Sequence, residues 1–350
     1  MLLQEPLRNL LRSAAPLLLA PLLLAGCGKS AQKSATPPAG GTTPFKVGLV
    51  FDVGGRGDKS FNDAAYAGLE RAQKELGVEF ATLETSEGTD REAQMRQFAA
   101  GDAQIIFGVG FLFTDDIKTL AREFPAKKFA CVDFTVTEGE SLPANLAALK
   151  FREEEGSYLV GALAGLLTKT NKVGFVGGME IPLIRKFQAG YMAGVKAVNP
   201  KAQVLVKYAG NTGSAFKDPT KGHELGLSEY HSGADIIFHA SGSTGLGVFE
   251  AARELKKLAI GVDSDQYDEA PGFILTSMVK RVDTAVFDTI RDLKNDQWAG
   301  GVHVFGLSDA GVKWVYDERN KAMIPAEVKA KVDALQADII AGRITVPTQP

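Results

Sequence analysis

Lys46-Val47-Gly48-Leu49-Val50-Phe51-Asp52 runs into Val53-Gly54-Gly55-Arg56-Gly57-Asp58-Lys59-Ser60 and then Phe61-Asn62-Asp63, and the architecture follows from how these three pieces join. The first is apolar at nearly every position rather than at alternate ones, which predicts a strand over 46–52 covered on both faces. The second is a glycine-rich loop. The third opens a helix near Ser60 whose buried stripe, Phe61, Ala65, Leu69, Ala72 and Leu76, has helical spacing, with Gly77 placed to cap its end. A doubly covered strand, a loop and an amphipathic helix are the opening of a βαβ unit.

Outward from there the unit repeats. The pattern predicts strands over 78–83, 104–109 and 128–133, with helices over 91–100 and 114–123 between them. It then restarts with a long helix over 151–167, acidic in its first turn where the helix dipole favours carboxylates. Strands over 172–176, 203–208, 235–239 and 258–262 come next, separated by helices around 187–198, 220–232 and 247–255. The fold class expected is α/β, with two doubly wound parallel-sheet lobes and a hinge. The stretch 273–279 and the residues beyond it are read as crossing back between them. This assigns 45–150 plus about 267–305 to the first lobe and 151–266 plus about 306–350 to the second. Ligands of such sheets sit beyond the carboxyl ends of the strands, so the two lobes offer an inter-lobe cleft.

The first residues carry a different message. Arg8 and Arg12 precede an apolar run over 14–24, broken by Pro16 and Pro21 and ending in Leu24-Ala25-Gly26-Cys27. A basic start, an apolar run too short to span a bilayer comfortably and small residues before a cut site predict a secretory signal over 1–26. The Leu-Ala-Gly-Cys ending resembles the bacterial lipobox, in which the cysteine is acylated, with palmitate for example, and becomes the mature N-terminus. Residues 27–44, rich in Ser, Ala, Thr, Gly and Pro, read as a flexible tether. The localisation expected is the cell envelope, lipid-anchored at Cys27 and facing the periplasm or the exterior.

Bulk properties narrow the chemistry. A net charge of −3 gives no overall basic field, so nucleic acid is not an expected partner. The other cysteine, Cys131, lies in an apolar run and reads as a buried strand residue without a disulfide partner. His223, His231, His239 and His303 lack the short spacings of metal sites, and no Gly-x-Ser-x-Gly elbow is present. Neither a metal nor a cofactor is implied, and an enzyme is not expected.

The strand-end loops are where a ligand would be held. After 46–52 comes a loop that misses the phosphate-binding pattern, because Phe51 and Asp58 stand where its glycines belong. Asp52, Phe61 and Asn62 suit a planar polar ligand, the ring stacking and the polar groups reading an edge. Equally, Ser60 could cap the helix and Phe61 pack in the core. Phe216, in the loop 209–219, reads as a lid residue or as a local plug. Gly242-Ser243-Thr244-Gly245-Leu246-Gly247 brings backbone N–H groups to a helix entry, which by itself needs no ligand. Asp263 ends a strand and could accept both hydroxyls of a sugar; Lys280 could donate to the same sugar or pair with a carboxylate. Asp133 ends its strand in the same way.

Taken together these segments resemble the basic membrane protein family. The resemblance rests on the lipobox, Phe51-Asp52-Val53-Gly54-Gly55, Asp58-Lys59-Ser60-Phe61-Asn62, Gly108-Val109-Gly110-Phe111 and Gly177-Gly178-Met179. Phe216 with Asp218-Pro219, Gly261-Val262-Asp263 and Thr276-Ser277-Met278-Val279-Lys280 add to it, and agreement runs from about 45 to about 313. The family comprises purine-nucleoside-receptor-like lipoproteins, the substrate-binding components of ABC importers, with a type I periplasmic-binding-protein fold. The resemblance implies a purine nucleoside (guanosine, inosine or adenosine) held by a monomer and passed to a permease in the inner membrane. It implies a base between two phenylalanines resembling Phe61 and Phe216, its edge read by groups resembling Asp52 and Asn62. The ribose would be held by an acid and a lysine resembling Asp263 and Lys280, with Asp133 and Gly242 also in the pocket. The loop 210–215 is longer than the usual form. Rival expectations are the same fold around riboflavin or another ring, and a tethered nucleoside hydrolase.

Overall fold

A computed structural model of the chain describes residues 44–85 and 89–350. The expected signal sequence, Cys27 and all but the last residue of the expected tether lie outside the described residues. The chain opens with β1 (Lys46–Phe51), α1 (Phe61–Leu76), β2 (Glu79–Glu84), α2 (Arg91–Ala100) and β3 (Ile105–Val109). It continues through α3 (Thr114–Glu123), β4 (Lys128–Val132), β5 (Leu146–Phe151) and α4 (Glu153–Leu167). Next come β6 (Lys172–Met179), α5 (Pro182–Val198), β7 (Gln203–Gly210), α6 (Pro219–His231), β8 (Ile236–Ala240) and α7 (Thr244–Leu255). The last part holds β9 (Leu258–Asp263), β10 (Ile274–Lys280), α8 (Val282–Lys294), β11 (Gly301–Phe305), β12 (Val312–Trp314) and α9 (Ala326–Ile340).

Two six-stranded sheets result, ordered β11-β5-β4-β3-β1-β2 and β12-β10-β9-β8-β6-β7. Every pairing in the first is parallel. In the second only β12 runs antiparallel, at the edge against β10. In each sheet the order reverses at the corresponding place, between β1 and β3 and between β6 and β8, and such a switch point opens a crevice beyond the strand ends. The central strands are buried along their length, β3, β8 and β10 at every position, as strands covered on both faces must be. On α1 the stripe of Ala65, Leu69 and Ala72 is buried, and Gly77 closes the helix in the left-handed conformation with φ 66°. Cys131 is buried in β4 with its thiol free.

The fold departs from the sequence-based expectation in three places. Residue 151 ends a strand rather than starting a helix: Leu146-Ala147-Ala148-Leu149 is a short apolar run with no period of its own, which does not separate strand from helix. Residues 274–280, expected in the first lobe, form β10 and pair with β9 in the second sheet, Met278 opposite Val262. The crossing back therefore comes at Arg281 and not near 267. The edge strands β11 and β12 and the helices α8 and α9 were not anticipated, although Val282, Val286 and Ile290 in α8 and Val328, Val332, Leu335 and Ile339 in α9 recur at helical spacing. Among the described residues no helix is long and apolar enough to cross a membrane.

The chain passes between the sheets three times, after β5, after β10 and after β11. These passages lie side by side. The Arg152 N–H donates to the carbonyl of Phe305, and the Arg281 N–H donates to that of Gly311, both at 2.8 Å. Residues 44–350 form one compact unit that contains both sheets.

Candidate functional site

Asp52 leaves the end of β1, Gly110 the end of β3, Asp133 the end of β4, Asp263 the end of β9 and Lys280 the end of β10. All five line one cavity between the sheets, together with Phe61, Asn62, Phe216 and Gly242. The eight residues singled out from the sequence thus converge on a single cavity.

The first loop is pinned by its own side chains. Asp58, nearly buried, accepts from the backbone N–H groups of Ser60, Asn62 and Asp63 at 2.8–3.1 Å and so caps α1. Ser60 does not cap the helix; its hydroxyl points to the other lobe and donates to Asp263 at 2.6 Å. Asn62 is committed at both ends, its Oδ1 accepting from the Asp52 N–H and its Nδ2 donating to Asp58. Phe61, the first residue of α1, is half-buried and borders the cavity. Two glycines are dictated by close approach. A Cβ on Gly110, at φ +111°, would lie 2.0 Å from Asp52 Oδ2. On Gly242, at φ +56°, it would lie 2.7 Å from the carbonyl oxygen of Phe216.

From the second lobe, Phe216 ends a short 3-10 turn, Gly213–Phe216. The turn is tied to the start of α7, with Thr244 Oγ1 donating to the Ala215 carbonyl and Ser243 Oγ to that of Phe216. Phe216 meets the edge of Phe111, with ring centroids 6.4 Å apart. Phe187, with Leu183 and Ile184 on the first turns of α5, closes another wall.

The electrostatics are unusual for so closed a space. Lys280 Nζ donates to both oxygens of Asp133, at 2.6 and 2.7 Å, and lies 3.1 Å from Glu153. The rings of Phe61, Phe151 and Phe187 surround the same ammonium at 5.0–5.7 Å. Burial alone would lower the Lys280 pKa; the carboxylates of Asp133, Glu153 and Asp263 outweigh it and hold the lysine charged. Burial pushes Asp52 and Asp263 up to about 7 each, against the backbone N–H of Val53 and the Lys280 charge respectively. Asp133 and Asp263 both hold positive φ, 61° and 63°, a conformation that aspartate tolerates better than most residues. The site therefore combines aromatic walls with carboxylates able to accept hydrogen bonds and one fixed cation.

Asp58, Phe111, Phe187 and Glu153 were not anticipated as parts of this surrounding. Asp58 was visible three residues before an apolar helix start, as a capping acid. Glu153 was visible only as one of three acids that the dipole of α4 already accounted for.

Two doubly wound lobes meeting at a cleft beyond their strand ends have the architecture of a bilobed solute-binding protein. The family model described as "Bmp: ABC transporter substrate-binding protein PnrA-like" matches residues 45–350, and the chain belongs to this family. It is 37% identical over 351 residues to the CD4+ T-cell-stimulating antigen of Listeria monocytogenes, covering 94% of this chain and 95% of that one. It is 32% identical to the ABC transporter nucleoside-binding protein BmpA of Lactococcus lactis, covering 88% and 90%. Among solved structures it is similar to an ABC transporter solute-binding protein of Aeropyrum pernix, with TM-score 0.79 and 29% identity, covering 87% and 94%. The fold and family expected from the sequence are thereby established, and the family is one of substrate-binding proteins.

Proposed function

We propose that this protein is the extracytoplasmic, lipid-anchored receptor of an ABC importer for purine nucleosides. The observation that carries this reading is that Phe61 and Phe216, one from each lobe, border the same cavity as Asp52, Asp263 and Lys280. In it the base lies between the two rings, its N–H groups donate to Asp52, and the ribose hydroxyls meet Asp263 and the Lys280–Asp133 pair. Contacts from both lobes make the ligand bind the closed arrangement better than the open one, which shifts the balance further toward closure. Nucleoside binding by the Lactococcus relative supports the ligand class. The Leu24-Ala25-Gly26-Cys27 ending supports the anchor.

The decisive experiment is calorimetric titration of residues 44–350, unfolded and refolded to strip carried-over ligand, with guanosine, adenosine, inosine, cytidine and riboflavin. Sub-micromolar binding of purine nucleosides but not cytidine is the expected result. Riboflavin binding alone would replace the substrate, and silence from all five would sink the nucleoside reading. For the anchor, Cys27→Ser is expected to abolish labelling by fatty acid and to release the protein from membranes.

A further inference from the structure

The head of α1 and the turn after β9 grip one another across the cleft, through protein groups alone. Ser60 Oγ donates to Asp263 Oδ2 at 2.6 Å, and Ser264 Oγ donates back to the Ser60 carbonyl at 3.1 Å. Gln266 Nε2 donates to the Lys59 carbonyl at 3.0 Å. Ser60 and Gln266 are both almost completely buried.

The orientation of Gln266 is imposed by its own lobe. Its Oε1 accepts from the Val262 N–H at 2.8 Å and faces His239 Nε2 at 3.0 Å. An amide oxygen only accepts, so His239 carries its proton on Nε2, and its Nδ1 faces the Ser241 hydroxyl. Burial holds His239 neutral, with its pKa down at about 4. With Oε1 occupied by two donors, the amide NH₂ of Gln266 is left aimed at the first lobe. Lys59 and Asp263, on the two sides of the contact, both hold positive φ, 56° and 63°, and such strain persists only where neighbours over-determine it.

We propose that Lys59–Ser60 and Asp263–Gln266 form a latch that favours the shut arrangement before any ligand contributes. In it Ser60 acts as a positioning residue: by occupying Asp263 Oδ2 from the opposite lobe, it turns the other carboxylate oxygen to the ligand only once the lobes have met. The positioning role rests on the reading of Asp263 as a ligand group, and the latch does not.

The test uses residues 44–350 with three substitutions. Gln266→Glu keeps an acceptor for Val262 and His239 but replaces the donor to Lys59 with a carboxylate oxygen that repels the Lys59 carbonyl, so the contact between the lobes is the one that is broken. Ser60→Ala removes the bond to Asp263, and Ser60→Thr restores a hydroxyl. Small-angle X-ray scattering without ligand is expected to give larger radii of gyration for Gln266→Glu and Ser60→Ala than for the wild type, with Ser60→Thr returning toward it. A ligand-free wild type as extended as the two variants would overturn the latch. Stopped-flow binding of guanosine is expected to show dissociation about tenfold faster in Ser60→Ala, the scale of one lost bond to a charged group, with association little changed. Equal dissociation rates would overturn the positioning role. If the wild type binds no nucleoside, the ligand reading fails, and the scattering arm still decides the latch.

Discussion

Lys280, at the end of the second sheet's β10, places its ammonium between the two carboxylate oxygens of Asp133, at the end of the first sheet's β4. Both partners are almost fully buried. Removing the cation leaves Asp133 without its ion-pair partner in a low-dielectric wall, while Glu153 keeps Lys186 at 2.5 Å. Lys280→Met is expected to destabilise residues 44–350 by about 3–5 kcal/mol, the usual cost of orphaning one member of a buried pair. Adding Asp133→Asn should recover part of that loss. Urea unfolding of the two single variants and the double variant measures both, and a loss from Lys280→Met of well under 1 kcal/mol would contradict the pairing.

The two phenylalanines offer a cleaner probe of the ligand. Phe61→Ala and Phe216→Ala are each expected to weaken purine nucleoside binding by ~1–3 kcal/mol, the range for one base stacked on one ring. Calorimetry on the refolded protein reads this directly. An unchanged affinity in Phe61→Ala would return that ring to a packing role.

Asp52 and Asp263 are held near pKa 7 by burial, so the free protein carries both only partly ionised at neutrality. In the proposed function, ligand N–H and O–H groups would donate to the carboxylate form and pull its pKa down, so binding would release protons. Affinity should rise with pH up to about 7 and level off above it. Titrations at pH 6.5 in buffers of different ionisation heat should reveal the released protons; identical heats in all buffers would rule out donation to these two acids.

Glu229 sits fully buried in α6 against Gly174, and burial raises its pKa from 4.5 to about 9. The folded protein keeps a proton there that the unfolded chain loses above pH 4.5. Stability from this residue is therefore intact below pH 4.5 and falls as pH rises toward 9, by about 1.4 kcal/mol per unit of pH. Glu229→Gln keeps the shape and abolishes the titration, and should raise stability at pH 7 by up to about 3 kcal/mol. Thermal or urea unfolding from pH 5 to 9 should show the variant's advantage widening; a constant difference would refute the assignment.

The sequence was legible where a single physical signal dominated. Apolar strands and amphipathic helices fixed the order of elements from β1 to β4 and from β6 to β9, and α2 and α3 fall on the residues that periodicity marked. Strand ends then named the places for ligand groups, and resemblance sharpened them to eight residues that do share one cavity. What stayed hidden was relational. Nothing in 274–280 says which sheet it joins, because a buried parallel strand reads alike in either. Nothing in Ser60 distinguishes a cap from a cross-lobe donor until Asp58 is seen to hold the N–H groups that Ser60 would have taken. Glu153 serves the dipole of α4 and the Lys280 ammonium at once, and the first role concealed the second.

The three passages between the sheets run side by side, bonded to one another at Arg152, Phe305, Arg281 and Gly311. Three parallel pins along one edge leave the halves a single easy swing and little freedom to slide or twist. Such a swing opens the cleft on the side away from those passages. A partner that takes the bound solute would have to work against the same swing that captured it.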